Sequence, residues 1–350
     1  MDVVSGGELY RARQAGADMS KVVYAGVGKT DREINEAIEA GIGWFNIESE
    51  EELANIIRLA ESRGAKVRAA LRVNPDVDPK THRHTTTGKK ETKFGVDIER
   101  ARQVFHDYGN NEHVHLCGIH LHIGSPINSA LPYVEAIHKA LRLIKDLRTD
   151  GYTIDTLDIG GGFGANYETD QAPLAAEYAE QIVPLLQGQG LQIILEPGRS
   201  ITANAGILLT STLYIKQGGS RNFVIIDGAM TDLIRPVLYD AFHFTWPVAP
   251  GKELVPTQRR EDMEMEGTVE TDVVGPVCET GDCLAKQRKL PPMKRGDLLA
   301  VFAAGAYGFV MASHYNSRPK AAEVLVEGDR HRLIRRRENY EDLVAAEQNL

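Results

Sequence analysis

The sequence is short of cysteine, of long apolar runs and of clustered positive charge, and each shortage excludes a class of protein. Three cysteines in 350 residues, Cys117, Cys278 and Cys283, make no paired framework, and Cys278 with Cys283 lacks the second pair that a structural zinc site requires. Their expected state is the free thiol of a reducing cytoplasm. No stretch approaches the roughly eighteen consecutive apolar residues of a membrane-spanning helix. The start of the chain carries Asp2, Glu8 and Asp18 where a secretory signal would have a basic and then an apolar region, so a soluble, unsecreted chain without a membrane partner is expected. With 49 acidic against 40 basic residues the formal charge is −9, and no lysine and arginine stripe interleaves with aromatics, which argues against a nucleic-acid partner. An acidic ligand would have to be met by individual arginines.

What is present is an ordinary globular composition, 42% hydrophobic and 25% charged, in a chain long enough for one large and one smaller domain. Seven short apolar runs, "DVVS", "VVYAG", "WFNIES", "VRAALRVN", "LCGIHLHIGS", "TLDIGGG" and "QIILEP", alternate with helical stretches. The opening reads as a strand end over Asp2 to Ser5, a turn at Gly6 and Gly7, and a helix closed by glycine in "ELYRARQAG". Further helices are expected over 31–40 and 50–63, the second with a capping box between Ser49 and Glu52. Such βα alternation predicts a parallel sheet, doubly wound or closed into a barrel. Glycine and polar residues at nearly every strand end favour the barrel, which gathers its active site on that rim. Seven runs are one too few for a closed (β/α)8 barrel, so the expected fold is α/β: a TIM-type barrel lacking its first βα unit over 1–205, then an all-β domain over 206–350. The second domain is read from "GILLTSTLYIKQ", "RNFVIIDGAM", "TDVVGPVC", "DLLAVFAAGAYG" and "KAAEVLVEGDRHRLIRR", with 247–270 as an exposed, charged and proline-rich excursion.

The chemistry-bearing residues lie at strand ends. "HLHIGS" places His120 and His122 on one side of a strand by alternation, an arrangement that ordinary rim histidines also satisfy. "DIGGGFG" sets Gly160, Gly161 and Gly162 at a strand-to-helix turn, where backbone N–H groups can approach a phosphate or where glycines simply close a tight turn. "EPGRS" adds Glu196 and Arg199 around Gly198 at the next strand end, and glycines with a cation on neighbouring strands point to a phosphorylated ligand. In the second domain Cys278 stands beside Glu279 in "GPVCETGDCL", a pattern that a plain surface turn also accommodates. Tyr307 lies in a glycine-flanked turn. Arg235 and Tyr239 are four apart and share a face if helical, Arg235 either meeting an anion or forming a structural ion pair.

Taken in order, "DVVSGGEL", "GVGKT", "HLHIGS", "DIGGGFG", "EPGRS", "DLIRPVLYDA", "GPVCETGD", "GAYGFVMASHYNSRP" and "AEVLV" resemble the diaminopimelate decarboxylase family, in the fold-type III, alanine-racemase-like class of pyridoxal phosphate enzymes. The likeness runs over essentially the whole chain. "CETGD" and "MASHYNSRP" are similar to this branch more than to the ornithine and arginine decarboxylases. The resemblance implies pyridoxal 5′-phosphate as cofactor and meso-2,6-diaminopimelate as substrate, with L-lysine and CO2 as products. It implies that Gly161, Gly162, Gly198, Arg199, Ser125 and Tyr307 hold the cofactor, that Glu196 pairs with its pyridine nitrogen and that His122 lies against its ring. Cys278 is then the proton donor, and Arg199, Arg235, Tyr239, Glu279 and Tyr307 grip the substrate. A homodimer is implied, each site drawing on the barrel of one chain and the β domain of the other.

Two departures accompany the likeness. The family's cofactor-anchoring lysine sits in a "YAVKAN"-like strand shortly before "DVVSGGEL", and this sequence shows no such strand; Lys29 in "GVGKT" matches a different motif. One absent βα unit of about 30 residues would account for both the eighth strand and the lysine, and the 350-residue chain alone is expected to be inactive or nearly so. Pro126 in "GSPIN" stands where the family more often has glutamine. Two other readings compete. A non-catalytic homologue that binds a partner has no need of Cys278, Glu196, Arg199 and His122, and an ornithine or arginine decarboxylase has no distal carboxylate to offer Arg199 and Arg235.

Overall fold

Alternation along short strands builds the first part of the molecule. In the computed structural model, which describes residues 1–78 and 93–348, the chain divides into two units, 1–164 with 172–198, and 165–171 with 199–350. The first unit runs β1 (Asp2–Val3), α1 (Gly6–Gln14), β2 (Val23–Tyr24), α2 (Asp31–Ala40), β3 (Trp44–Ile47), α3 (Glu50–Ser62), β4 (Val67–Asn74), β5 (Val96–Asp97), α4 (Ile98–Tyr108), β6 (Val114–His120), α5 (Leu131–Thr149), β7 (Thr156–Asp158), α6 (Ala175–Leu186) and β8 (Gln192–Ile194). Its strands are all parallel, in the order β1-β2-β3-β4-β6-β7-β8, with the two-residue β5 pairing onto the end of β4. Every apolar run picked out in the sequence is a strand of this sheet.

Successive side chains point to opposite faces. Val3, Tyr24, Phe45, Ile47, Leu71, Val73, Ile119 and Leu157 enter one apolar core with Leu9, Ile34, Leu53, Ile56, Val104, Ile137 and Ile182 of the helices. The register pairs Asn46 with Ala70, Arg72 with His120, and His120 with Asp158, so the buried polar residues share the other face. Two local readings are corrected. Gly6 and Gly7 are the first turn of α1 rather than a separate turn, because the Ser5 hydroxyl caps the helix by accepting from the Glu8 N–H (3.2 Å). At α3, Ser49 accepts from the Glu52 N–H as expected (3.2 Å), but the Glu52 carboxylate turns away from the box to accept from the Glu48 N–H (2.6 Å) and from Lys29 Nζ (2.6 Å). A complete capping box is formed at α2, between Thr30 and Glu33.

The second unit is a six-stranded sheet of β9 (Leu208–Gly218), β10 (Arg221–Ile226), β11 (Thr245–Pro247), β12 (Val269–Val274), β13 (Cys283–Leu290) and β14 (Leu298–Val301), in the order β11-β14-β9-β10-β12-β13. A separate hairpin follows, β15 (Glu323–Glu327) with β16 (Arg330–Arg335). The short helix α7 (Arg199–Thr202) precedes β9, α8 (Arg235–Tyr239) lies between β10 and β11, and α9 (Tyr340–Leu343) follows β16. Val224, Ile226, Phe244, Trp246, Val273, Leu284, Leu290 and Leu299 form its core. Residues 248–268 form the anticipated excursion, mostly exposed and tied down where the Trp246 indole donates to the Leu254 carbonyl (2.9 Å). Cys117 is fully buried and Cys283 partly so, both as packed thiols.

Candidate active site

In the first unit the polar face converges on Glu196. Two residues beyond β8, Glu196 is fixed by its N–H donating to the Gly160 carbonyl (2.9 Å). His120 Nε2 lies 3.6 Å from Glu196 Oε1 and His122 Nδ1 lies 3.8 Å from Oε2, so the two histidines do face one way, as alternation requires. The Asn46 amide donates to Glu196 Oε1 and to Asp158 Oδ2, 3.1 Å each. Burial works against ionising Glu196, but the charge of His120 and the close polar groups of His120, His122 and Asp158 prevail and hold it well below the usual carboxylate range. Burial lifts Asp158 to about 7, with Glu196 adding to the lift and His120 opposing it. Burial also opposes charge on His120, yet Glu196 and Asp158 raise its pKa, whereas His122 is lowered, first by burial. These shifts favour charge on Glu196 and His120 and the neutral form of His122, with Asp158 titrating at about 7. Among the described residues both ring nitrogens of His120 and the Asn46 Oδ1 have no hydrogen-bond partner.

Gly161 and Gly162 leave no room for side chains. A Cβ on Gly161 would run into the Glu196 carbonyl oxygen and one on Gly162 into that of Gly124, and Gly162 has φ +92°. The Gly161 N–H donates to His122 Nδ1 (3.4 Å), and Ser125 follows Gly124 in the loop after β6. Gly198 faces open space, with nothing within 4 Å of where its Cβ would stand. Lys29 is fully engaged elsewhere, donating to the Gly26 carbonyl (2.9 Å) and the Asn46 carbonyl (2.8 Å) and pairing with Glu52, with its side chain 1% exposed. It is a structural lysine.

In the second unit Arg199, Arg235 and Tyr307 gather around Tyr167. Arg199 Nη1 donates to the Tyr167 hydroxyl (2.8 Å) and its guanidinium lies 4.7 Å from the Tyr307 ring centre. The Arg235 guanidinium sits 4.6 Å over the Tyr167 ring, with Nη1 2.7 Å from His243 Nε2. Among the described residues no carboxylate lies within ion-pair distance of Arg235, so the structural ion pair that its sequence left open is not formed. Tyr239 stands one turn further along α8, and Tyr307 occupies its turn at φ +57°. Cys278 and Glu279 are grouped instead with Asn316 and Tyr315. The backbone N–H of the exposed Cys278 donates to Asn316 Oδ1 (3.2 Å), and the nearby Glu279 charge pushes the Tyr315 hydroxyl up. Asp282 builds this turn, accepting from the N–H groups of Met230 (2.6 Å) and Val277 (2.8 Å).

Sequence reasoning missed Asn46, Asp158, Tyr167 and His243. The first two had a readable signal, a lone polar residue inside an apolar strand. Tyr167 and His243 had none, since their partners lie elsewhere in the chain.

Residues 1–203 match the family described as pyridoxal-dependent decarboxylase, pyridoxal binding domain. The diaminopimelate decarboxylase of Aquifex aeolicus is 47% identical over 344 residues, covering 98% of this chain and 79% of that one. That of Pseudomonas aeruginosa is 46% identical over 346 residues, covering 99% and 80%. The crystal structure of the Helicobacter pylori diaminopimelate decarboxylase complexed with L-lysine matches with a TM-score of 0.91 at 40% identity, covering 99% of this chain and 84% of that one. With sequence and TIM-type barrel plus β domain shared along nearly its whole length, the chain belongs to the diaminopimelate decarboxylase family of pyridoxal-dependent decarboxylases.

Proposed function

We propose that the protein binds pyridoxal 5′-phosphate and meso-2,6-diaminopimelate and, given a lysine to anchor the cofactor, decarboxylates the substrate to L-lysine, acting as a homodimer in the cytoplasm. The polar face of the first unit fits this cofactor. Glu196, buried yet ionised, is suited to hold a proton at the pyridine nitrogen, while the backbone at Gly161, Gly162 and Gly198, with Ser125, is suited to the phosphate. His122 keeps 27% of its side chain exposed and supports the ring face; Tyr307 is a further cofactor contact. Bound there, the cofactor supplies the electron sink that accepts the pair left when the carboxylate departs.

The chain's own residues do the rest. Arg199, Arg235, Tyr239 and Tyr307 receive the distal carboxylate of the substrate, and Glu279 takes the distal ammonium. The Cys278 thiol gives its proton to the substrate α-carbon once CO2 has left. In the homodimer one chain's Cys278 and Glu279 complete the site of the other. Among the described residues no helix is long and apolar enough to cross a membrane.

Arg235 carries this reading: a guanidinium 7% exposed, bonded to a neutral imidazole and a tyrosine ring, calls for an anion from outside the chain. Ornithine and arginine do not bring one in their side chains. The test is calorimetric titration of the wild type and Arg235→Ala with meso-diaminopimelate and L-lysine, with pyridoxal 5′-phosphate present. Loss of a charge-assisted bond should weaken diaminopimelate by about tenfold or more and leave lysine nearly unchanged. An unchanged affinity for diaminopimelate rejects the substrate assignment.

A further inference from the structure

His243 is 1% exposed, with Nδ1 2.9 Å from the Phe302 carbonyl and Nε2 2.7 Å from Arg235 Nη1. A carbonyl can only accept, so Nδ1 carries the hydrogen, and Nε2 offers its lone pair to the guanidinium. Both ring nitrogens are used and the ring is neutral. An imidazolium would set two cations against each other, and burial, followed by the charges of Arg235 and Arg199, pushes His243 down to about 4 despite the Phe302 carbonyl. Tyr167 joins the same assembly. Its hydroxyl accepts from Arg199, its ring face carries Arg235, and its ring meets that of His243 edge-on at 5.3 Å and 83°. One aromatic ring thus stands between two guanidiniums, each aimed by a group that carries no negative charge.

We propose that Tyr167 and His243 are positioning residues for substrate specificity: they hold Arg199 and Arg235 in place, and His243 does so without neutralising Arg235. A carboxylate at position 243 would hold Arg235 equally well but would spend its charge inside the protein. A neutral acceptor leaves that charge for the distal carboxylate of the ligand, the group that separates diaminopimelate from lysine. The inference rests on the substrate reading above and deepens it.

The test titrates His243→Glu, His243→Gln, His243→Leu and Tyr167→Phe with meso-diaminopimelate and with L-lysine, pyridoxal 5′-phosphate present, with urea unfolding to compare stability. His243→Glu should lose about tenfold or more in diaminopimelate affinity and stay within about twofold for lysine. His243→Gln, which keeps a neutral acceptor near the position of Nε2, should stay within about threefold of the wild type. His243→Leu and Tyr167→Phe, which each delete one acceptor, should weaken diaminopimelate by about threefold to tenfold. A His243→Glu protein that retains the wild-type preference overturns the proposal and leaves the substrate reading intact. If that variant fails to fold, equal affinities of the Leu and Gln variants overturn it. A wild type that does not distinguish the two ligands overturns both.

Discussion

A buried carboxyl beside an ionised one keeps its proton to unusually high pH, and in the first unit this holds for Asp2, which burial and then Glu196 push up to about 8, and for Asp158. The pKa of Asp158 rises from 3.8 to about 7, so between those values the folded chain holds a proton that the unfolded chain has released. Stability therefore falls as the pH climbs through this window. His120 adds to the fall at higher pH, because its raised pKa contributes stability that is complete below 6.5 and is lost as the pH passes its folded value. Glu196 has the opposite sign, but its stabilisation is lost only in acid, as the pH drops below 4.5 toward its depressed folded value. Asp158→Asn imitates the protonated carboxyl, and Asn46 can turn its unpartnered Oδ1 toward the new amide. His122 and His243, both lowered, have the opposite sign below about pH 6.5, and Asp2 shares the sign of Asp158. We therefore expect urea midpoints of the wild type to fall between about pH 6.5 and about pH 8, and the fall to be smaller in Asp158→Asn. An identical fall in both proteins would mean that Asp158 is ionised throughout.

At the scale of elements, the sequence was readable where burial and alternation agree. β3, β4, β6 and β7 have apolar residues toward the helices and polar residues toward the site, so strand, face and candidate ligand could be read together at His120, His122 and Glu196. It was opaque where partners decide. β13 reads "CLAKQRKL", too polar for a strand by pattern, and takes its form by pairing with β12 across register shifts, with Gln287 at φ +52°. β11 ends in Pro247, an ordinary argument against a strand, and is tolerated at the sheet edge. Tyr167 is 32 residues from the arginine it holds, and no local pattern announces such a contact. The start of α2 is another partnership. Thr30 Oγ1 accepts from the Glu33 N–H (3.3 Å), and Glu33 accepts in return from the Thr30 N–H (3.0 Å) and from the Gly6 N–H of α1 (2.8 Å). Thr30→Ala should cost about 1 kcal/mol in urea unfolding, and Thr30→Ser only a few tenths. Equal stability of the two would mean that the Gly6 bond alone fixes this helix start.

On the scale of the whole chain, the sheet of the first unit has two ends. Among the described residues β1 pairs only with β2, and β8 only with β7. In a parallel strand the N–H and C=O of one residue point to the same side, and those of the next residue to the other. Gln192, Ile194 and Glu196 bond toward β7, through the Asp155 carbonyl, the Ile159 N–H and the Gly160 carbonyl, so Ile193 and Leu195 turn their backbone groups to the open side. Leu195 adds an apolar side chain that is 52% exposed. An edge of this kind, apolar and without an intervening charge, templates pairing with other chains, whereas a lysine on it blocks such pairing. The 350-residue chain is expected to grow beyond a dimer as its concentration rises, measured by static light scattering, and Leu195→Lys should suppress that growth severalfold. Both proteins growing alike would place the association on another surface, such as the exposed Val324, Val326 and Leu333 of the β15–β16 hairpin, and would show that the β8 edge is covered in solution.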